Sequence, residues 1–279
     1  MICISCSVSE RFVNPLFEVF DGGELILSSY RDVEEDFARM RIYFDDPALE
    51  GEARSSLKAA LDIVGLDLKM ERLEIPDEDW KFAYRRHFKT EEIGRRLVTV
   101  PAWEKVPDGQ RIALVIDPGM AFGTGKHETT RACLEYIDEY VSPGESFLDM
   151  GCGSGILSIA AAKLGCKRVV GFDIDQDAVE ASMENAAVNG VEIEFLKYGL
   201  GGPVKRDFGK ADFAVANILG PLLIRYVDEI SSCVGGKLVI SGILNDLYEQ
   251  VLAVYEKAGF KEVSRKVIGE WTTGLLTVN

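Results

Sequence analysis

From residue 111 onward the chain alternates short strand-like runs with amphipathic helical runs, and no other feature constrains the fold as much. RIALVID, SFLDM, RVVGFDI, EIEFL, ADFAVANIL, KLVISGIL, FKEVSRKVI and EWTTGLLTV have the apolar, β-branched character of strands. HETTRACLEYIDEYV, ILSIAAAKLG, DAVEASMENAAVNG, PLLIRYVDEISSCV and DLYEQVLAVYEKAG occupy most of the gaps, with apolar residues at helical spacing. Strands separated by helices need crossover connections, which implies a doubly wound α/β fold with a mostly parallel sheet. The IGE turn between the last two runs is too short for a crossover, so they form an antiparallel hairpin at one edge.

The first 76 residues follow another rule, reading strand, helix, two strands, helix, strand. In RMRIYFDD, Arg39, Arg41 and Tyr43 fall on one face and Met40, Ile42 and Phe44 on the other. EGEARSSLKAALDIVG places Leu57, Leu61 and Val64 at helical spacing. A β-α-β-β-α-β order suggests a small ferredoxin-like α+β domain, and it carries no catalytic motif. The chain thus divides into a recognition domain at 1–76, a linker at 77–100 containing a helix over DEDWKFAYRRHF, and a catalytic domain at 101–279. Arg85, Arg86, Arg95 and Arg96 form a basic cluster, read as a solvated face pairing with nearby carboxylates.

Thirty-one basic against forty-six acidic residues leave a net charge of −15. Such a chain is poorly suited to bare nucleic acid, whose phosphates need Lys and Arg to replace counterions. It suits steering a basic partner, or the acidity simply maintains solubility; charge alone does not choose. No secretory signal precedes the first strand and no apolar run is long enough to span a bilayer, so a cytoplasmic location without membrane contact is expected. The six cysteines are scattered as reduced thiols would be. Cys3 and Cys6 form a C-x-x-C on a strand, where residues three apart face opposite ways, and cannot easily share a metal or a disulfide.

FLDMGCGSGILSIAAAKLG joins an apolar strand to an apolar helix through a glycine turn. The dinucleotide pattern G-x-G-x-x-G fails in both frames, because its third position is Ile156 in one and Ser158 in the other. The motif present is D-x-G-x-G-x-G: Asp149, Gly151, Gly153 and Gly155. An aspartate ending the strand makes a diphosphate unwelcome and favours a cationic ligand. Asp173, twenty residues beyond Gly153, ends the next strand, where a carboxylate accepts hydrogen bonds from ribose hydroxyls. Asp175 suits a helix cap. A ribose-bearing ligand with a positive centre and no phosphate fits these features, and S-adenosylmethionine is one.

This pair of motifs resembles the first two motifs of class I methyltransferases, with a Rossmann-like, seven-stranded, mostly parallel sheet. IDPGMAFGTGKHETT, residues 116–130, resembles the DPGxAFGTGxHxTT signature of ribosomal protein L11 methyltransferases of the PrmA type. VANIL, residues 215–219, resembles the Asn-Ile-Leu of the same family, and SGIL at 241–244 agrees more weakly. The likeness runs from about residue 79 to the C-terminal residues, and Lys126 and Glu128 depart from it, standing where many relatives have Thr and Pro. The resemblance implies that the glycines contact the methionine part of S-adenosyl-L-methionine and that Asp173 binds its ribose. Thr130 touches the cofactor, with Phe122, Gly123 and Thr124 closing over it. Asn217 lies beside the transferable methyl and orients the incoming amine. The implied substrate is a basic large-subunit ribosomal protein, L11, methylated on lysine ε-amines and its N-terminal amine. S-adenosyl-L-homocysteine is the product and no metal takes part.

Other readings stay open. Asn217 could cap the helix beginning near Pro221. His127 could be a base or a polar residue at a helix start. Cys152 is read as packing. A related protein-lysine methyltransferase with another target, a non-catalytic binding protein and, disfavoured by Ile156 and Asp149, an NAD-dependent oxidoreductase are the competing functions.

Overall fold

The computed structural model describes residues 2–20, 25, 27–30, 37–44, 46–74, 89–117, 127–202 and 206–278. The chain forms two compact units, Met1–His87 and Phe88–Asn279.

In the first unit, β1 (Ile2–Ser9), α1 (Val13–Val19), β2 (Leu27–Tyr30), β3 (Phe37–Phe44), α2 (Glu50–Ile63) and β4 (Glu71–Glu74) follow one another. Its sheet is ordered β2-β3-β1-β4 with every pairing antiparallel, the β-α-β-β-α-β arrangement expected. Alternation sends Met40, Ile42 and Phe44 into the core against Ala53, Leu57, Ala60 and Leu61 of α2. Cys6 belongs to that core, whereas Cys3 is buried on the other face of the same strand, and all six cysteines are free. The helix expected over 77–88 lies outside the described residues.

The larger unit contains β5 (Glu91–Ile93), β6 (Leu97–Pro101) and β7 (Ile112–Ile116), which form a three-stranded sheet of their own. Two differences from expectation follow. Part of the expected linker at 77–100 is strand within this unit, and RIALVID pairs with β6 rather than joining the large sheet. Arg95 and Arg96 sit in the β5–β6 turn over Asp138, which is buried and accepts both backbone N–H groups, at 2.7 and 3.2 Å, and Arg96 Nε at 3.0 Å.

Then come α3 (Glu128–Tyr140), β8 (Ser146–Met150), α4 (Ile156–Lys163), β9 (Arg168–Asp173), α5 (Gln176–Val188), β10 (Glu194–Lys197), β11 (Ala211–Asn217), α6 (Gly220–Arg225), α7 (Val227–Ser232), β12 (Val234–Leu244), α8 (Tyr248–Lys257), β13 (Phe260–Ile268) and β14 (Trp271–Val278). The seven-stranded sheet is ordered β10-β9-β8-β11-β12-β14-β13. It is parallel from β10 to β12 and antiparallel at β12–β14 and β14–β13. The expected hairpin is present, with β14 inserted inside the edge. Side-chain alternation splits the core in two. Phe147, Phe213 and Val215 face α3, α4 and α5, while Leu148, Met150, Ala214 and Ala216 face α6, α7 and α8. The run PLLIRYVDEISSCV is two short helices rather than one, because Tyr226 between them leaves helical geometry at φ −109°, ψ 20°.

Strand order reverses between β8 and β11: the chain winds outward through β9 and β10, then crosses to β11 on the other side. Ligands of open α/β sheets bind beyond the carboxyl ends of the strands at this switch point.

Candidate active site

Three glycines make the turn leaving β8. Gly151, Gly153 and Gly155 have φ of 78°, 52° and 77°, a region side chains rarely adopt. Gly151 is needed a second time for space, since a Cβ there would lie 2.6 Å from Ile218 Cγ2. The N–H groups of Gly151 and Cys152 both donate to Phe172 O at 2.9 Å, which fastens the turn to the end of β9. Gly155 instead admits helix packing, because a Cβ there would lie 2.8 Å from Ser182 Cβ.

At the end of β9, Asp173 Oδ2 accepts the Gly153 N–H at 2.9 Å and Oδ1 accepts the Asp175 N–H at 3.1 Å. Asp175 caps α5 as expected, accepting the Asp177 N–H at 3.1 Å. Beside these groups opens a cleft of about 300 Å³. Gly151, Gly153, Asp173 and Asn217, four of the residues singled out from the sequence, line it together.

Asn217 ends β11, and its Oδ1 is buried without a hydrogen-bond partner among the described residues. It does not cap the next helix: the cap position is Leu219 and no side chain bonds there. An unpartnered buried carbonyl is costly, about 1–3 kcal/mol, unless a ligand meets it.

Asp149 is not in the cleft lining. It shares the Phe147 side of β8 and lies beneath α4, where Ser158 donates to Oδ2 from N–H at 3.2 Å and from Oγ at 2.7 Å. It is wholly buried, and desolvation pushes its pKa up to about 7, with Asp173 adding to the rise. The negative charge that the cleft itself presents comes from Asp173, so Asp149, expected from the sequence to contact the ligand and to turn a diphosphate away, is not placed to do so. Thr130 lies in the first turn of α3, buried, its Oγ1 also without a partner among the described residues, and it is likewise outside the lining. Gly155 is outside it too. Phe122, Gly123 and Thr124 fall outside the described residues.

His127 is the N-cap of α3 and packs edge-on to Trp271 at 5.2 Å, so a capping role accounts for it. Cys152 is buried, and burial pushes its thiol pKa up, away from a nucleophile's. Among the described residues no group of three His, Cys, Asp or Glu is placed to hold a metal ion. A larger cavity of about 530 Å³ near Arg95 and Lys266 has charges that largely answer one another, as in Lys266–Glu135 at 2.6 Å. Size does not select the site; the switch point does.

Several cleft residues escaped sequence reasoning. Ile174, 75% exposed, and Leu200 also line the cleft, giving apolar surface for a planar base. Both follow the carboxyl ends of parallel strands, β9 and β10, on one side of the switch point, a position that could have marked them. Tyr226 gave no signal, because it read as the middle of a helix.

The residues fit a sulfonium nucleoside: a ribose acceptor, an apolar wall, close glycine backbone and an unmet carbonyl oxygen converge on one cleft. Comparison with known proteins agrees. The model of the family "Ribosomal protein L11 methyltransferase (PrmA)" matches residues 20–277. A protein of that name from Caldanaerobacter subterraneus subsp. tengcongensis is 40% identical over 214 residues, covering 75% of this chain and 68% of the relative. One from Clostridium botulinum (strain Alaska E43 / Type E3) is 37% identical over 246 residues, covering 85% and 78%. The crystal structure of ribosomal protein L11 methylase from Lactobacillus delbrueckii subsp. bulgaricus superposes with a TM-score of 0.62 at 32% identity, covering 68% of this chain and 98% of that one. The chain belongs to the PrmA family of ribosomal protein L11 methyltransferases.

Proposed function

We propose that this protein methylates ribosomal protein L11 on lysine ε-amines and the N-terminal α-amine, using S-adenosyl-L-methionine and releasing S-adenosyl-L-homocysteine. The observation that carries the reading is Asn217: an unpartnered, buried amide oxygen at the end of β11, in the same cleft as Asp173. When bound, the donor supplies an electrophilic methyl on a positively charged sulphur.

Asp173 accepts the ribose hydroxyls on lone pairs its two backbone bonds leave free. Ile174 and Leu200 flank the base, and the backbone of Gly151 and Gly153 lies along the methionine part. Asp149 holds the first turn of α4 from beneath through Ser158. The family resemblance assigns donor contact to Thr130 and to Phe122, Gly123 and Thr124 before it, the last three lying outside the described residues. Asn217 Oδ1 accepts an N–H of the incoming amine and so aims its lone pair at the methyl.

A lysine amine of pKa about 10.4 costs about 4.6 kcal/mol to hold neutral at pH 7. Desolvation lowers that cost, and Leu219 and Leu222, exposed apolar side chains just past Asn217, supply the surface for it. No dedicated base is required, because the Asn217 oxygen orients the amine while water removes the proton, and alignment supplies much of the rate.

The net charge of −15 accords with a basic ribosomal protein as partner and disfavours direct nucleic-acid binding. The unit at Met1–His87 is read as the grip on that protein. None of the described helices is long and apolar enough to cross a membrane, and the reading puts the activity in the cytoplasm, without membrane contact. Incubating the purified protein with labelled S-adenosylmethionine and a mixture of ribosomal proteins tests it. Label on L11 supports the proposal, label on another protein moves the target, and absence of both label and donor binding ends it.

A further inference from the structure

Strand β7 pairs with β6 along one edge, and side chains complete its other edge at every second residue. Lys163 Nζ of α4 donates to Ala113 O at 2.7 Å. Asn189 stands in for a neighbouring strand: its Oδ1 accepts the Val115 N–H at 3.0 Å and its Nδ2 donates to Val115 O at 2.6 Å. Asn185 Oδ1 accepts the Asp117 N–H at 3.0 Å. Four residues of helix rise about 6.0 Å and two residues of strand about 6.6 Å, so Asn185 in α5 and Asn189 at its C-cap meet Asp117, just past β7, and Val115 within it.

The two asparagines differ in one respect. Asn185 is buried, and its Nδ2 donates to Ser154 O at 3.0 Å, inside the glycine turn between Gly153 and Gly155. Asn189 Nδ2 makes its remaining bond to Asn185 O at 2.8 Å, within its own helix. One amide therefore ties the turn to Asp117, from which the chain runs on to Thr130.

We infer that Asn185 is a positioning residue for methyl-donor binding: its amide sets the spacing between the glycine turn and the start of the 117–130 segment. This rests on the donor identified under the proposed function. Asn189 is the internal control, since it braces the same strand from the same helix and does not bond the turn.

The test measures calorimetric affinity for S-adenosylmethionine and S-adenosylhomocysteine, melting temperature, and kcat and KM on L11, for the wild type, Asn185→Leu, Asn185→Asp and Asn189→Leu. Asn185→Leu is expected to weaken both ligands and raise donor KM about tenfold, with kcat at saturation little changed. Asn189→Leu is expected to lower the melting temperature while leaving donor affinity within about twofold. Asn185→Asp keeps the size and the acceptor for Asp117 but has no N–H for Ser154 O. It too should weaken the donor about tenfold, and it decides the question if the leucine variant does not fold. Wild-type affinity in Asn185→Asp, or equal losses in the Asn185 and Asn189 variants, overturns the inference alone. A wild type that binds no S-adenosylmethionine overturns the proposed function and this inference with it.

Discussion

Replacing Asp149 by Asn should remove a loss of stability that develops as the pH rises from about 4 to about 7. Asp149 is wholly buried, and its pKa is pushed up to about 7 from an ordinary 3.8, desolvation being the largest cause and the two Ser158 hydrogen bonds opposing it. Between those two values the folded chain keeps a proton that the unfolded chain has lost. The charge therefore costs nothing well below pH 4, and its cost grows until it levels off above about pH 7. At about 1.36 kcal/mol per pH unit, the full cost is on the order of 4 kcal/mol, of which about 2–3 kcal/mol develops between pH 5 and pH 8. Asparagine has the same shape, keeps an acceptor for Ser158 and carries no charge. Urea unfolding of both proteins, in a Trp80→Phe background so that Trp103 and Trp271 report on the larger unit, measures the difference. The stability of Asp149→Asn relative to the parent should rise by about 2–3 kcal/mol from pH 5 to pH 8. A flat difference, or one that falls with pH, would show Asp149 charged in the fold at pH 5 and refute the burial argument.

Three further outcomes are expected. Asp173→Asn removes a charged acceptor worth about 1.5–3 kcal/mol per bond, so calorimetry should show S-adenosylmethionine binding weakened about 10- to 100-fold. Asn217→Ala should lower kcat at saturating donor at least about 100-fold, measured by methyl incorporation into L11, with a far smaller change in donor affinity. Gly151→Ala forces an L side chain to φ 78° and brings its Cβ to 2.6 Å from Ile218 Cγ2. The conformational cost alone is about 1–2 kcal/mol, so the melting temperature should fall, and Ile218→Ala should restore only part of the loss.

Periodicity and turn chemistry made most of the fold legible. Strand pairs such as Phe147 and Phe213, stacked at 5.7 Å between neighbouring strands, carry the apolar pattern that placed their segments in the sheet. The site was legible where spacing reflects a covalent path, as from Gly153 to Asp173, one helix and one strand apart. It was illegible where position depends on which way a side chain faces. Asp149 looked like part of the cleft, yet one residue of strand alternation turns it under α4. Apolar periodicity also could not reveal that RIALVID leaves the main sheet, since β7 satisfies its outer edge with Asn185, Asn189 and Lys163 rather than with another strand. Tyr226 was hidden for a related reason, because the apolar spacing continues unbroken through the point where the helix stops.

The position of β14 between β12 and β13 bears on how this enzyme is made. A ribosome releases β13 before the strand that will attach it to the sheet has been synthesised. Until residues 271–278 emerge, β13 has no partner and β12, whose Ser241 lies beside Asn217, keeps an open edge. Unpaired edges of this kind invite aggregation in a nascent chain. Sheet closure therefore waits for β14, and a copy that still lacks this strand has an unfinished catalytic unit.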